Sequence, residues 1–364
     1  MKKIYYGRAV YDHKEINAVV KVLKNNSLSL TDGKNVKKLE KIVSKMFGKK
    51  YGLMVNSGSS ANLLGLASFD FKKGSEIITP NLTFSTTVAP IYQLGLIPHF
   101  VGVEKNKFVA DFNHIERCIN KKTVAIMIPN LLGNIANWEK ISQIAKKYKL
   151  KVIEDSADTI GYTFNKKDTG IYSDIVTNSF YASHIINGGG TGGIVCFNDD
   201  KLYKKAKLLR GWGRSSATFN ESESIDKRFN VKISGIDYDA KYVFSEMGYN
   251  FLPSEISAVF ALEQLKKLKD NIKIRNRNFS KLISFFKNHN DLFNLPEMYS
   301  GVKTPWLAFP LVIKKNKLFN RKELQIHFEK NNIQTRTIFT GNILKQPVMK
   351  NKVYKYFKDC NNVA

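Results

Sequence analysis

The chain has 364 residues, 43% hydrophobic and 24% charged, which is enough for two or three structural units and ordinary for a soluble globular protein. Its formal charge of +27 comes from scattered lysines, with no basic run interleaved with aromatics to track a nucleic-acid strand; solvated helix faces or an anionic small-molecule ligand remain as readings. No run of about 18 apolar residues suits a membrane span, and the opening MKKIYYGRAVYDHKE lacks the apolar core of an export signal.

HKEINAVVKVLKNN and NVKKLEKIVSKMF carry apolar residues at three-to-four spacing and predict amphipathic helices. YGLMV, EIIT, TVAIMI, KVIED and DIVTNSF predict short buried strands, each followed by polar or glycine-containing turns. Strands alternating with helices imply an α/β fold with a mostly parallel sheet covered on both faces. Ligands of such sheets gather beyond the carboxyl ends of the strands, which directs attention to the residues after YGLMV, KVIE and NSFYA. Beyond residue 200, RSSATFNESESIDKRFNVKISGIDYDAKY lacks periodicity and predicts a loop excursion. One or two long helices follow in PSEISAVFALEQLKKLKDNIKIRNRNFSKLISFFKN, with Pro253 suited to the first turn. WLAFPLVI, RKELQIHFEKNN and IQTRTIF then predict a small strand-helix-strand unit. Cys118, Cys196 and Cys360 lie far apart, with no metal-ligand spacing, and fit a reduced cytoplasmic chain.

Three constellations can carry chemistry. Ser57, Gly58, Ser59 and Ser60 stand where a strand hands over to a helix, so their amides and hydroxyls either bind an anion or simply cap the helix. Glu154 and Asp155 end a strand and Asp158 follows; buried acids need cationic or hydrogen-bonding partners, while a helix cap is the plainer reading. Ser179 ends another strand, and His184 follows in a glycine-rich turn, where a histidine is either structural or a base.

In order, NSGSSANL, TPNLTFSTT, VIEDSAD, SFYASH, GGTGGIV and GYNFLPSEISAV resemble the pyridoxal-phosphate-dependent sugar aminotransferase family, the DegT/DnrJ/EryC1/StrS group of fold type I, over almost the whole chain. The likeness implies a large PLP-binding domain over residues 1–250 and, over 251–364, linking helices and a small C-terminal α/β domain short of the family's last segment. It also implies that Gly58, Ser59 and Ser179 hold the cofactor phosphate, with Ser60 beside them, that Phe84 lies against the pyridine ring, that Asp155 pairs with the ring nitrogen, and that Asp158 is among the cofactor-binding residues. Asn250 would reach the phosphate in the neighbouring subunit of a homodimer. A carboxylate there keeps the ring protonated and electron-withdrawing.

The aminotransferases have a lysine at the position of His184, which joins the cofactor covalently; histidine cannot, yet it can act as a base. The branch that resembles this chain there is the nucleotide-sugar 3-dehydratases, and Asp158, LLRGWGRSS and TRTIFTGNILKQP favour it too. That branch uses pyridoxamine phosphate to remove the C3 hydroxyl of a nucleotide-linked 4-keto-6-deoxyhexose. Its 2Fe-2S subtype needs four cysteines, partly in the segment after WGR, whereas this chain has three and that segment none. A cluster-free enzyme that takes its amine from glutamate is therefore expected. An aminotransferase relative and a non-catalytic nucleotide-sugar-binding homologue are the alternatives, and Arg210, Arg214, Arg336 and Asn342 are candidate contacts for a diphosphate, a sugar or glutamate.

Overall fold

The computed structural model describes residues 3–25, 29–218 and 225–358; Cys360, the chain's end and part of the segment expected to hold cluster cysteines lie outside them. Helix α1 (His13–Leu23) is closed by a capping box between Asp12 and Glu15. Helix α2 (Lys34–Met46) has no side-chain cap of its own; the Glu255 carboxylate instead accepts from the amides of Asn35 at 3.1 Å and Val36 at 2.8 Å. Both helices follow the predicted periodicity, and α2 buries Val36, Leu39 and Val43.

Next come β1 (Tyr51–Val55), α3 (Gly58–Ala67), β2 (Glu76–Pro80), α4 (Ser85–Gln93), β3 (Ile97–Val101), α5 (Phe112–Cys118), β4 (Thr123–Pro129), α6 (Trp138–Tyr148), β5 (Lys151–Asp155), β6 (Ile175–Ser179), β7 (Gly193–Phe197) and α7 (Asp200–Arg210). The strands form one eight-stranded sheet in the order β1-β7-β6-β5-β4-β2-β3-β8, where β8 is Lys355–Tyr356 near the end of the chain. Only β7 runs antiparallel to its neighbours. The sheet is apolar on both faces, as a covered parallel sheet requires: along β4, Ile126 and Ile128 join the core with α2 and α6, while Ala125 and Met127 face that of α3 and α7.

Beyond residue 200 the chain departs from expectation in four places. Glu255–Lys287 is one 33-residue helix, α8, and Pro253 precedes its N-cap, Ser254, rather than entering the first turn. The excursion after residue 214 contains a short helix (Ile225–Phe229) and an exposed hairpin pairing Val231–Ile233 with Ile236–Tyr238. Of the predicted strand-helix-strand unit, α9 (Arg321–Lys330) is present, but IQTRTIF is not a strand: Ile333 bridges to Ile4, and the left-handed φ of 42° at Phe339 breaks the extended run. β8 was unforeseen, and it pairs with β3 of the large sheet.

Candidate active site

The carboxyl ends of β1, β5 and β6 meet at one edge. Because β7 is antiparallel, its first residue, Gly193, stands opposite both Val55 at the end of β1 and Ser179 at the end of β6. A Cβ on Gly193 would lie 2.4 Å from the Ser57 carbonyl carbon, so the glycine lets these ends converge.

The first residues of α3 form an anion cradle. Ser57 is the N-cap: its hydroxyl accepts from the Ser60 amide at 3.1 Å and donates to Ser60 Oγ at 3.0 Å. The Ser60 amide and hydroxyl oxygen thus both engage the cap. The Ser59 amide donates to no protein acceptor among the described residues, while the Gly58 amide lies beside the Gly192 carbonyl across the Ser57–Gly192 bridge. Gly58 packs on Ser179 so closely that an added Cβ would lie 2.5 Å from the serine Cβ, which brings the Ser179 hydroxyl to the helix N-terminus. A free amide, a hydroxyl and the positive end of a helix dipole suit a phosphate.

Asp155 and Glu154 point to opposite faces of β5. Asp155 Oδ2 accepts from Asn62 Nδ2 on α3 and Thr87 Oγ1 on α4, both at 2.8 Å, and Oδ1 accepts from the Ala157 amide at 3.1 Å. Asn62 is itself oriented by the Thr177 hydroxyl, which donates to its Oδ1 at 2.6 Å. Burial pushes the Asp155 pKa up, and among the described residues no cationic side chain lies within ion-pair distance of it. A carboxylate held only by neutral donors, inside a protein, calls for a cationic N–H. Glu154 has no such opening, because Tyr162 and Thr169 hydroxyls at 2.5 Å, Asn130 Nδ2 at 2.8 Å and Ser156 Oγ at 3.1 Å all donate to Oε1.

His184 ends the turn Tyr181–His184, closed by its amide donating to the Tyr181 carbonyl at 3.0 Å. Its Nδ1 lies 3.3 Å from the Ser179 carbonyl and its Nε2 3.9 Å from Asp158 Oδ1. Burial drives the imidazole down to about 4 and the Asp158 carboxyl up to about 7. His184 is thus neutral at physiological pH, with a free ring nitrogen to accept a proton.

The remaining candidates divide. Phe84, N-cap of α4, is half exposed and meets Phe339 edge-on at 5.8 Å, leaving ring surface free. Asn250 is exposed, on a segment whose neighbours pair with residues 209–212. Arg210 is buried and already bonded to Asp32, Glu40 and the Met54 carbonyl. Arg214 is boxed by the rings of Trp212, Tyr242 and Phe244. Asn342 is buried with Nδ2 unpartnered, and Arg336 stands 6.0 Å over the Tyr6 ring. The sequence reading missed Asn62, Thr87 and Leu132, whose amide binds Asp158; a polar residue on the apolar face of α3 was the one available signal.

A phosphate cradle and a carboxylate that needs a protonated nitrogen share this edge. Pyridoxal phosphate, anionic at one end and protonated on its ring at the other, satisfies both, and the class so defined is the PLP-dependent enzymes of fold type I. The chain belongs to the DegT/DnrJ/EryC1/StrS aminotransferase family, whose model matches residues 10–364. It is 33% identical over 361 residues to GDP-4-keto-6-deoxy-D-mannose 3-dehydratase of Yersinia pseudotuberculosis, covering 96% of this chain and 86% of the relative. The solved E. coli enzyme of that name, with bound hydrated PLP, superposes with a TM-score of 0.87 at 32% identity, over 100% of this chain and 92% of that one. A second structure of a GDP-4-keto-6-deoxymannose-3-dehydratase, with a trapped PLP-glutamate geminal diamine, gives 0.87 at 31% identity over 99% and 92%.

Proposed function

We propose that the chain is a 3-dehydratase that removes the C3 hydroxyl of a nucleotide-linked 4-keto-6-deoxyhexose, in dideoxysugar biosynthesis, with GDP-4-keto-6-deoxymannose as the leading substrate. The carrying observation is His184: the likeness to enzymes of that name spans nearly the whole chain, and a neutral, partly buried histidine stands beside the sheet edge that fits the cofactor. Bound as pyridoxamine phosphate, the cofactor supplies a free amine for the C4 ketone and a ring that withdraws electrons.

The chain's own residues supply the rest. The Ser59 amide and the Ser179 hydroxyl hold the phosphate, and Gly58 keeps the two together. Asp155, aligned by Asn62 and Thr87, keeps the ring nitrogen protonated, and Phe84 offers a flat apolar face. His184 Nε2 moves the proton during dehydration, and since histidine forms no covalent link to the cofactor, the amine stays free. Glutamate restores the amine. Asn250, exposed as a residue given to a partner must be, completes the site of a second subunit in a homodimer. Residues 1–250 act as the cofactor-binding domain and 251–364 as linking helix and smaller domain. As an enzyme of nucleotide-sugar synthesis the chain works in the cytoplasm, and no described helix is long and apolar enough to cross a membrane.

The test is to incubate the protein, pyridoxal phosphate and glutamate with GDP-, CDP-, dTDP- and UDP-linked 4-keto-6-deoxyhexoses and weigh the products. Loss of water, greatest with the GDP sugar, is expected. Exchange of the carbonyl oxygen for nitrogen would mark an aminotransferase, and protein that shows no cofactor absorbance after reconstitution would refute both enzymatic readings.

A further inference from the structure

His184 is held by two contacts on opposite sides of its ring. The Ser179 carbonyl, 3.3 Å from Nδ1, can only accept, so Nδ1 carries the proton and Nε2 the lone pair. Nε2 faces Asp158 Oδ1, and the other oxygen of Asp158 accepts from the Leu132 amide at 2.7 Å. Leu132 presents that amide from a left-handed conformation, φ 59°, which costs a leucine roughly 1–2 kcal/mol. The surroundings hold it there: the Leu307 amide donates to the Leu132 carbonyl at 2.7 Å, and Arg275 of α8 donates to the carbonyls of Trp306 and Leu307 at 3.1 and 3.2 Å. Backbone kept in such a state by its neighbours is found where a nearby group must be placed closely.

Several charged groups face this pair. Asp155 adds its field to that of Asp158, and Arg275 acts on His184 from the side of α8. Tyr6 of the N-terminal segment interacts with Asp158 and lies under Arg336 of the C-terminal unit, and the Tyr181 ring lies edge-on to His184 at 5.8 Å. Burial sets Asp158 near 7 and His184 near 4, so around neutrality the two hold at most one proton, which rests on the carboxyl.

We propose that Asp158, rather than binding the cofactor, is a positioning residue: fixed by the Leu132 amide, it stands 3.9 Å from Nε2 of His184 and through its charge sets the basicity of that nitrogen. The inference rests on His184 being the base of the proposed dehydration. Its test reads the histidine directly, by ¹⁵N NMR of the histidine-labelled full chain, with and without pyridoxamine phosphate, the signal being assigned by its loss in His184→Asn. We expect the Nδ1–H tautomer at pH 8 and a step in the Nε2 shift near pH 7 that is absent from Asp158→Asn. In the loaded enzyme the acid limb of kcat/KM should fall at least one pH unit lower in that variant than in the wild type. An Nε2–H tautomer, or the same neutral step in both proteins, overturns the proposal whether or not the sugar is dehydrated. If these signatures are found and no dehydration occurs, the functional reading fails and the pairing stands. Should Asp158→Asn not fold, the wild-type tautomer and the presence or absence of its step near pH 7 decide alone.

Discussion

Glu154 and Asp155 are consecutive residues of one strand, equally cut off from water, and the molecule treats them oppositely. Glu154 faces the α6 side, where four side chains donate to a single oxygen and its needs are met by protein. Asp155 faces α3 and α4, where two side chains and one amide orient it and, among the described residues, no cation answers its charge. Burial raises both carboxyls. The difference is what each neighbourhood leaves undone: a closed network fixes structure, whereas an oriented, unanswered charge is a place for a ligand.

The largest effect expected from breaking this contrast is on turnover. Asp155→Asn should lower dehydration at least about a hundredfold, as for removal of a group that stabilises charge in the reaction. The melting temperature of the cofactor-free protein should hold or rise, since an uncompensated buried charge is gone. Glu154→Gln should do the reverse, costing about 1–3 kcal/mol of stability by unbalancing the network while turnover per folded molecule is kept. Its pH dependence sharpens the point. The folded-state pKa of Glu154 is raised above its ordinary value of 4.5, so its stability contribution is fully present below that value and is lost as pH rises through the folded pKa. The melting deficit of Glu154→Gln should therefore shrink as pH increases.

Gly58→Ala ranks next. The new methyl meets Ser179 at 2.5 Å, and overpacking of about 1–3 kcal/mol should appear as weaker pyridoxamine phosphate binding, near tenfold in a spectroscopic titration. Ser60→Ala should do least, within about 0.5 kcal/mol in melting and binding, because its hydroxyl serves the cap, which keeps the Ser60 amide.

Much of this was legible because the sheet is local in sequence. The apolar runs that form β1, β5 and β6 are strands whose ends carry the residues to examine, so Gly58, Asp155 and Ser179 could be picked out before their meeting was seen. What stayed hidden depends on contacts between distant segments. Asn62 and Thr87 converge on Asp155 only once α3 and α4 stand against β5. Leu132 reaches Asp158 through a left-handed turn braced by residues 306 and 307, which no periodicity encodes. β8, two residues long, is a strand only because the edge of β3 receives it. The pairing of Arg210 with Asp32 and Glu40 was hidden too, because those partners come from far earlier in the chain.

The central claim is that a histidine, uncombined with the cofactor, makes this site a dehydratase. Replacing it by lysine and treating the pyridoxal-phosphate-loaded protein with borohydride tests that claim most directly. His184→Lys should keep the cofactor bound through denaturation and should no longer expel water from the GDP-linked 4-keto sugar. Undiminished dehydration by His184→Lys would contradict the account.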